Sequence, residues 1–381
     1  MLTLAILFWS SIALILWTQL GYALTLAGLV RLRRAPAARH PLGEPPRLSL
    51  IVACHDEEQV IAAKVQNALA LEYPRELLEV IVACDGCGDA TAQRARAAGA
   101  DLVLELPRGG KIRAQDAAVE RASGAVLAFS DANALWEPGA ARALVAALAE
   151  ERVGYACGQV RFVPGDAGGG APNQEGVYWR YEMALRAWES RLSSITAGNG
   201  AIYATRRETY LVVDPIMGHD LSLPFNMVKR GLRAVYVAEA RATEKMVPTL
   251  GGEFARKRRM MGHTWPILLR GGMLSPRGYP PGYAAMIISH RLLRYASPGL
   301  HLLALAANVA LLALGAGPLY AVTLGLQAGL LAAALAAGPV RARPLLLARY
   351  YVLTTASPAA GLWDWLRHGT PASWEAAEGT R

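Results

Sequence analysis

The chain has 381 residues, of which 53% are hydrophobic and 18% charged, with a mean hydropathy of +0.23 and a net charge of +9. Soluble domains carry about a quarter charged residues, so a wholly soluble chain is excluded and part of it is expected in lipid. Its basic residues are not interleaved with aromatics on any nucleic-acid module, and arginine beside apolar segments fits the cytoplasmic face of a membrane better.

Leu2 to Val30 contain no charged residue and are followed by Arg31, Arg33, Arg34 and Arg39. About twenty apolar residues span a bilayer. A cleaved signal peptide would carry its positive charge before the apolar run, so residues 1–30 read as an uncleaved anchor, amino terminus outside. Ala35–Arg47, rich in Pro and Ala, reads as a linker.

Apolar runs then alternate with helical patterns. Leu48–Cys54, Leu77–Cys84, Asp101–Leu106 and Ala125–Phe129 are predicted strands; Asp89–Ala98, Lys111–Ala122 and Pro138–Glu150 are predicted helices. This alternation predicts an α/β domain over residues 45–272 with a mostly parallel sheet covered by helices on both faces. Gly165–Pro172 is expected to be a mobile loop, and Gln174–Leu192 and Glu253–Arg270 to be helices. Residues 283–366 read as an interfacial and transmembrane region. Ser289–Tyr295 combines arginines with an aromatic ring, as interfacial helices do. Gly299–Val340 lacks charge and has room for two crossings with a turn near Gly315–Pro318, while Pro344–Trp363, broken by Arg349 and Pro358, either crosses or turns back.

There are four cysteines. Cys84 and Cys87 have CxxC spacing, but a zinc site needs a second ligand pair that the sequence does not display. They read as small residues at a strand end, with a redox pair as the sharper alternative.

Ligands of an open parallel sheet bind beyond the carboxyl ends of its strands. The first predicted strand is followed by His55-Asp56-Glu57-Glu58, the second by Asp85-Gly86-Cys87-Gly88-Asp89, and the fourth by Ser130-Asp131-Ala132-Asn133. Asp131 and Asn133 offer two oxygens one residue apart, suited to Mg²⁺ or Mn²⁺ carrying phosphate. Lys111 follows two glycines at a helix start, a position suited to phosphate, although no P-loop pattern surrounds it. A single Asp after a strand is commonly a helix cap; three acidic strand ends together point to chemistry.

In this order the segments resemble the membrane-bound inverting glycosyltransferases of family 2, the group of the cellulose, chitin, hyaluronan and poly-N-acetylglucosamine synthases. The resemblance runs from about Leu48 to Trp265. It implies a GT-A fold, a UDP-sugar donor and a divalent metal. Val52–Glu58 resembles the first nucleotide-binding strand and loop, which implies donor contacts from Ala53, His55 and Glu57. Asp85–Thr91 is similar to the family's DGSxDxT signature, whose first Asp contacts the uracil. Gly110-Lys111 resembles the uridine and phosphate segment, and Ser130–Asn133 the metal-binding DxD with Asn as its second member. Gly198-Asn199-Gly200 resembles the loop lining the acceptor, with a purely structural turn an equal reading of the glycines alone. Gly218-His219-Asp220 resembles the segment whose last Asp is the general base, which implies that role for Asp220; His219 tunes it, contacts the acceptor or simply packs, and Asp220 also reads as a cap of a helix over Leu221–Gly231.

The sequence departs from the family at QxxRW, the motif that stacks a Trp on the acceptor: Met261–Trp265 keeps only Trp265. Arg256, Arg258 and Arg259, one to two turns earlier, suit a diphosphate or lipid head groups, or form a solvated interfacial face. The implied activity is inverting sugar transfer to a polysaccharide or lipid-linked acceptor, with the catalytic domain cytoplasmic on the cell membrane. The alternatives are a nucleotidyltransferase, disfavoured by the acidic His55–Glu58 loop, and a degenerate sugar-nucleotide-binding membrane scaffold or sensor, which would have lost Asp131 or Asp220.

Overall fold

The computed structural model describes residues 1–33, 43–163, 172–245, 250–337, 340 and 342–372. Residues 165–171 of the expected loop, most of the linker, Arg34, Arg39 and Arg341 lie outside the described residues. In chain order the elements are α1 (Leu2–Leu16), α2 (Tyr22–Leu32), β1 (Leu48–Cys54), α3 (Ile61–Leu69), β2 (Leu78–Asp85), α4 (Thr91–Ala97), β3 (Leu102–Leu106), α5 (Lys111–Arg121), β4 (Val126–Asp131), β5 (Leu135–Trp136), α6 (Ala140–Leu148) and β6 (Val153–Val163). They continue with α7 (Pro172–Leu192), β7 (Tyr203–Arg206), α8 (His219–Lys229), β8 (Arg233–Lys245), α9 (Leu250–Leu269), α10 (Pro281–Met286), α11 (Leu293–Ala313), α12 (Pro318–Ala336) and α13 (Arg343–His368).

One mixed sheet runs in the order β3-β2-β1-β4-β7-β6-β8-β5. The β3-β2-β1-β4 half is parallel, β7 is antiparallel to both its neighbours, β8 is parallel to β6, and β5 is antiparallel to β8. Every residue of β1 is buried, because helices cover both faces and alternate side chains enter different cores. Leu48 and Leu50 pack with α6, whereas Ile51 and Ala53 pack with α5 and α7.

Three helical segments are long and apolar enough to cross a membrane: Leu2–Leu32, Pro281–Ala313 and Pro318–Ala336. The first two run through single π-turns, at Trp17–Gly21 and Ile287–Leu292. The turn between α11 and α12 falls at residues 314–317, where Gly315 and Gly317 both have positive φ. Phe8 of α1 is fully buried against Ala304, Ala307 and Leu311 of α11. A buried polar seam joins this layer to the sheet domain. Tyr22 Oη donates to Glu189 Oε1 of α7 at 2.6 Å, and His290 Nδ1 lies 2.6 Å from the same oxygen.

The stretch Pro344–Trp363 forms part of α13, which continues through Pro358 and is not among the segments apolar enough to cross. It lies along α9. Arg258 of α9 makes two hydrogen bonds of 2.6 Å to Asp364, Lys257 Nζ donates to Tyr350 Oη at 2.9 Å, and Trp265 Nε1 donates to the Pro358 carbonyl at 2.8 Å. The contact closes to backbone distance. A Cβ on Gly361 would lie 2.8 Å from Gly262 N and 2.7 Å from the Arg258 carbonyl.

Candidate active site

Neighbouring strands β2, β1 and β4 end together, with Cys54 in register with Cys84 and Ala53 in register with Asp131. The loops after these strands therefore share one edge. His55 Nδ1 donates to the Asp85 carbonyl at 2.8 Å. Asp56, in the left-handed region at φ 50°, accepts from Gly88 N at 2.8 Å. Glu57 N donates to Thr91 Oγ1 at 2.8 Å, and Glu58 N donates to Asp89 Oδ2 at 3.1 Å. Asp89 also accepts from Thr91 N, at 3.0 Å, in the turn just before α4.

Asp85 is 1% exposed. Its Oδ1 accepts from Gly109 N at 2.6 Å and Gly110 N at 3.0 Å, and Arg108 Nη1 lies 3.3 Å from Oδ2. The carboxylate thus organises the loop that opens α5. Gly110 sits there at φ 96°, and a Cβ on it would meet the Ala372 carbonyl beyond α13 at 2.1 Å.

Lys111, the first residue of α5, pairs with Asp131 Oδ1. The Lys111 side chain keeps its proton because Asp131, then Asp220 and Glu244, outweigh the opposing effect of burial. A Cβ on Gly200 would lie 3.2 Å from Lys111 Nζ and 4.0 Å from Asp131 Oδ2, so the 198–200 loop reaches the pair directly. Gly198 N donates to the Asp220 carbonyl at 2.7 Å. Asp220 lies in the first turn of α8, with Gly218 at the N-cap, so it is inside the helix that sequence reading starts one residue later. Asn133 stands in the tight turn closed by Ala134 N donating to the Asp131 carbonyl at 3.2 Å.

Lys64 and Glu244 complete this cluster and carry no sequence motif. Lys64 is fully buried on α3 and donates to the Ala134 carbonyl at 2.6 Å, fixing the Asp131–Ala134 turn. Burial lowers its ammonium to about 7, against the pull of Asp131 and Glu244. Glu244 is placed by the ladder. Leu135 of β5 pairs with Thr243 of β8, so the next residue of β8 falls beside Ala134. Its Oε1 is sealed from solvent and has no hydrogen-bond partner among the described residues. Burial, then the Asp131 charge, push the Glu244 carboxyl up to about 7; Lys111, Arg256 and Lys64 oppose them. Glu244 was hidden because its neighbour in space is more than a hundred residues away in sequence; a polar residue ending an apolar strand is the only local signal.

Other expected site residues lie in supporting positions. Asn199 is buried, with Nδ2 donating to the Gly158 carbonyl at 2.7 Å and Oδ1 accepting from Ile202 N at 3.0 Å. His219 is buried between Tyr203 Oη at 2.9 Å and Tyr210 Oη at 3.4 Å. Burial, then the Lys111 charge, lower its imidazole to about 3, so it is held neutral. Trp265 is 9% exposed in the α9–α13 contact, which leaves no open ring face for stacking in this conformation. The arginines of α9 diverge: Arg258 pairs with Asp364, while Arg256 makes hydrogen bonds of 2.8 and 2.9 Å to Glu253 and also acts on Glu244.

Among the described residues, Lys111 and Asp131 lie beside Gly200, Asp220, Glu244 and Lys64 act on their charges, and Asn133 stands in the turn after Asp131, at the carboxyl edge of the sheet. Oxygen donors beside a cation suit a hard divalent metal and an anionic ligand.

Residues 45–262 match the family model described as glycosyltransferase like family 2. No curated protein matches the chain. Among solved structures, the chain is similar to the mannosyltransferase PcManGT from Pyrobaculum calidifontis in complex with GDP-Man and Mn²⁺, at 24% identity and a TM-score of 0.72, over 95% of this chain and 99% of that one. A weaker likeness joins it to glucosyl-3-phosphoglycerate synthase from Mycobacterium tuberculosis, at 22% identity and a TM-score of 0.40, over 57% of this chain and 77% of that one. The first of these likenesses establishes the GT-A fold.

Proposed function

Because the chain belongs to the family 2-like glycosyltransferases, we propose that it transfers a sugar, with inversion, from a UDP-sugar to a polysaccharide or lipid-linked acceptor at the cytoplasmic face of a membrane. The observation that carries this reading is the Lys111–Asp131 pair beside Gly200, with Asp220 close enough to act on the lysine's charge.

In this reading Asp131 and Asn133 hold Mg²⁺ or Mn²⁺, whose contribution is Lewis-acid stabilisation of the leaving diphosphate. The donor set fits, since it consists of hard oxygens with Glu244 alongside. Lys111 neutralises phosphate charge from the start of α5, where backbone N–H groups also favour an anion. Asp220 takes the proton from the acceptor hydroxyl. The acceptor oxygen then bonds to the anomeric carbon as the bond from that carbon to the diphosphate breaks on the opposite face. His55, Glu57 and Ala53 border the nucleoside, and Asp85 acts on it through the Gly109–Gly110 loop that it holds. The 198–200 loop, beside the Lys111–Asp131 pair, borders the acceptor, while Trp265 braces the α9–α13 contact. Arg256 serves the diphosphate, while Arg258 and Arg259 face α13 or lipid head groups. The three apolar segments support membrane placement.

The test is nucleotide release by the purified protein in lipid, with Mg²⁺ or Mn²⁺, across UDP-sugars and GDP-mannose, beside Asp220→Asn. Release with a UDP-sugar that the variant abolishes is expected. Release with GDP-mannose alone overturns the UDP assignment, and release retained by Asp220→Asn removes Asp220 as the base. Nucleotide binding without any release, with acceptor lipid present, favours the sensor reading.

A further inference from the structure

Three of the chain's four cysteines meet at one point. Cys54 ends β1 and Cys84 lies in register beside it on β2, with sulfurs 3.8 Å apart. Gly86, at φ 61°, turns the chain so that Cys87 comes back over the strand ends, its sulfur 3.7 Å from the Cys54 carbonyl. All three sulfurs lie within 4.8 Å of one another. The CxxC pair thus gains in space the third ligand that the sequence did not display.

We propose that Cys54, Cys84 and Cys87 form a three-thiolate site for a thiophilic divalent cation, Zn²⁺ in the first instance, with water as the fourth ligand. Zinc–sulfur bonds of about 2.3 Å in a tetrahedron set sulfur–sulfur edges of about 3.8 Å, which the Cys54–Cys84 separation already matches. His55 groups with Asp56 and Cys87 alone, its Nε2 3.4 Å from Asp56 Oδ2, and so stays outside the three-sulfur set. Cys54 and Cys84 are each 1% exposed and Cys87 is half-buried, so the sulfurs are shielded except on the Cys87 side.

This site goes beyond the transferase reading and stands apart from the Asp131 cluster in its chemistry. Thiolates select Zn²⁺ and other soft cations, whereas Asp131 and Asn133 offer oxygen to Mg²⁺ or Mn²⁺. A cation here ties the ends of β1 and β2 together, and with them the loops carrying Asp56 and Asp85. Cys157 packs among the residues facing α5 and α7, away from the group, and serves as an internal control.

The experiment is Co²⁺ titration of the full-length, chelator-stripped protein, read by absorption. Expected are thiolate-to-cobalt charge-transfer bands that saturate at one equivalent, vanish on adding Zn²⁺, are lost in Cys87→Ser, and persist in Asp131→Ala and Cys157→Ser. Cobalt binding without thiolate bands, or bands that survive Cys87→Ser, overturns the site. Should Cys87→Ser fold poorly, alkylation of the native wild-type protein decides: Zn²⁺ is expected to slow modification of Cys87 at least tenfold, and an unchanged rate overturns the proposal.

Discussion

Lys111 Nζ and Asp131 Oδ1 form an ion pair that joins the first residue of α5 to the last residue of β4. The proposed mechanism gives the helix start to phosphate and the strand end to metal, and Gly200 approaches the pair where a Cβ would lie 3.2 Å from Lys111 Nζ. Replacing Lys111 by Met is expected to weaken metal-dependent nucleotide binding roughly tenfold to a hundredfold, the worth of a charge-assisted hydrogen bond. Isothermal titration with UDP and Mn²⁺ measures this; unchanged affinity would place the phosphates elsewhere.

Asp220 has a separable role. Asp220→Asn keeps shape and hydrogen-bonding capacity but cannot take a proton. Turnover is expected to fall about 10²–10⁴-fold, the usual worth of general base catalysis, with donor affinity unchanged. Parallel loss of donor affinity would instead assign Asp220 to holding the 198–200 loop through its neighbours.

Glu244 makes the metal-free protein sensitive to pH. Its folded carboxyl stands at about 7, raised by burial and Asp131 against Lys111, Arg256 and Lys64. The unfolded value is about 4.3. A raised carboxyl value means that the folded state holds the extra proton, so its stabilising effect is full below the unfolded value and lost as pH rises through about 7. Glu244→Gln is expected to flatten this loss, worth at most a few kcal/mol. Thermal melts of chelator-treated protein from pH 4.5 to 8 read it, and Mn²⁺ should restore wild-type stability at the upper end. Parallel curves for the two proteins would show that Glu244 does not titrate in this range.

Gly198 is required by contact, since a Cβ there would lie 2.1 Å from Tyr155 Oη and 2.9 Å from Cζ. Gly198→Ala is expected to cost about 1–3 kcal/mol by overpacking. In a Tyr155→Phe background, where the hydroxyl is gone, part of the loss should return. Denaturant midpoints of the four proteins close the cycle; simple additivity would mean that the loop shifts away instead.

Much of the sheet is readable before any coordinates. Leu48–Cys54 matches β1 at both ends, and the other three predicted parallel strands match within two residues. Strands buried on both faces appear as unbroken apolar runs, and their carboxyl ends face ligand. This is why Asp85, Lys111 and Asp131 stand out. The roles within the site are less readable. Asp85 binds the backbone of Gly109 and Gly110, Asn199 braces its own loop, and His219 is held by two tyrosines. A motif marks a position without saying which way its polar atoms turn.

Local sequence determined the apolar segments, the alternation of strand and helix, and the acidic strand ends, because each depends on residues close together in the chain. Tertiary structure decided that Glu244 and Lys64 join the Asp131 turn, that Cys54 joins Cys84 and Cys87, and that α13 lies along α9 with Trp265 between them. These relations follow from ladder register and helix contact between segments far apart in sequence, so no local pattern of residues carries them.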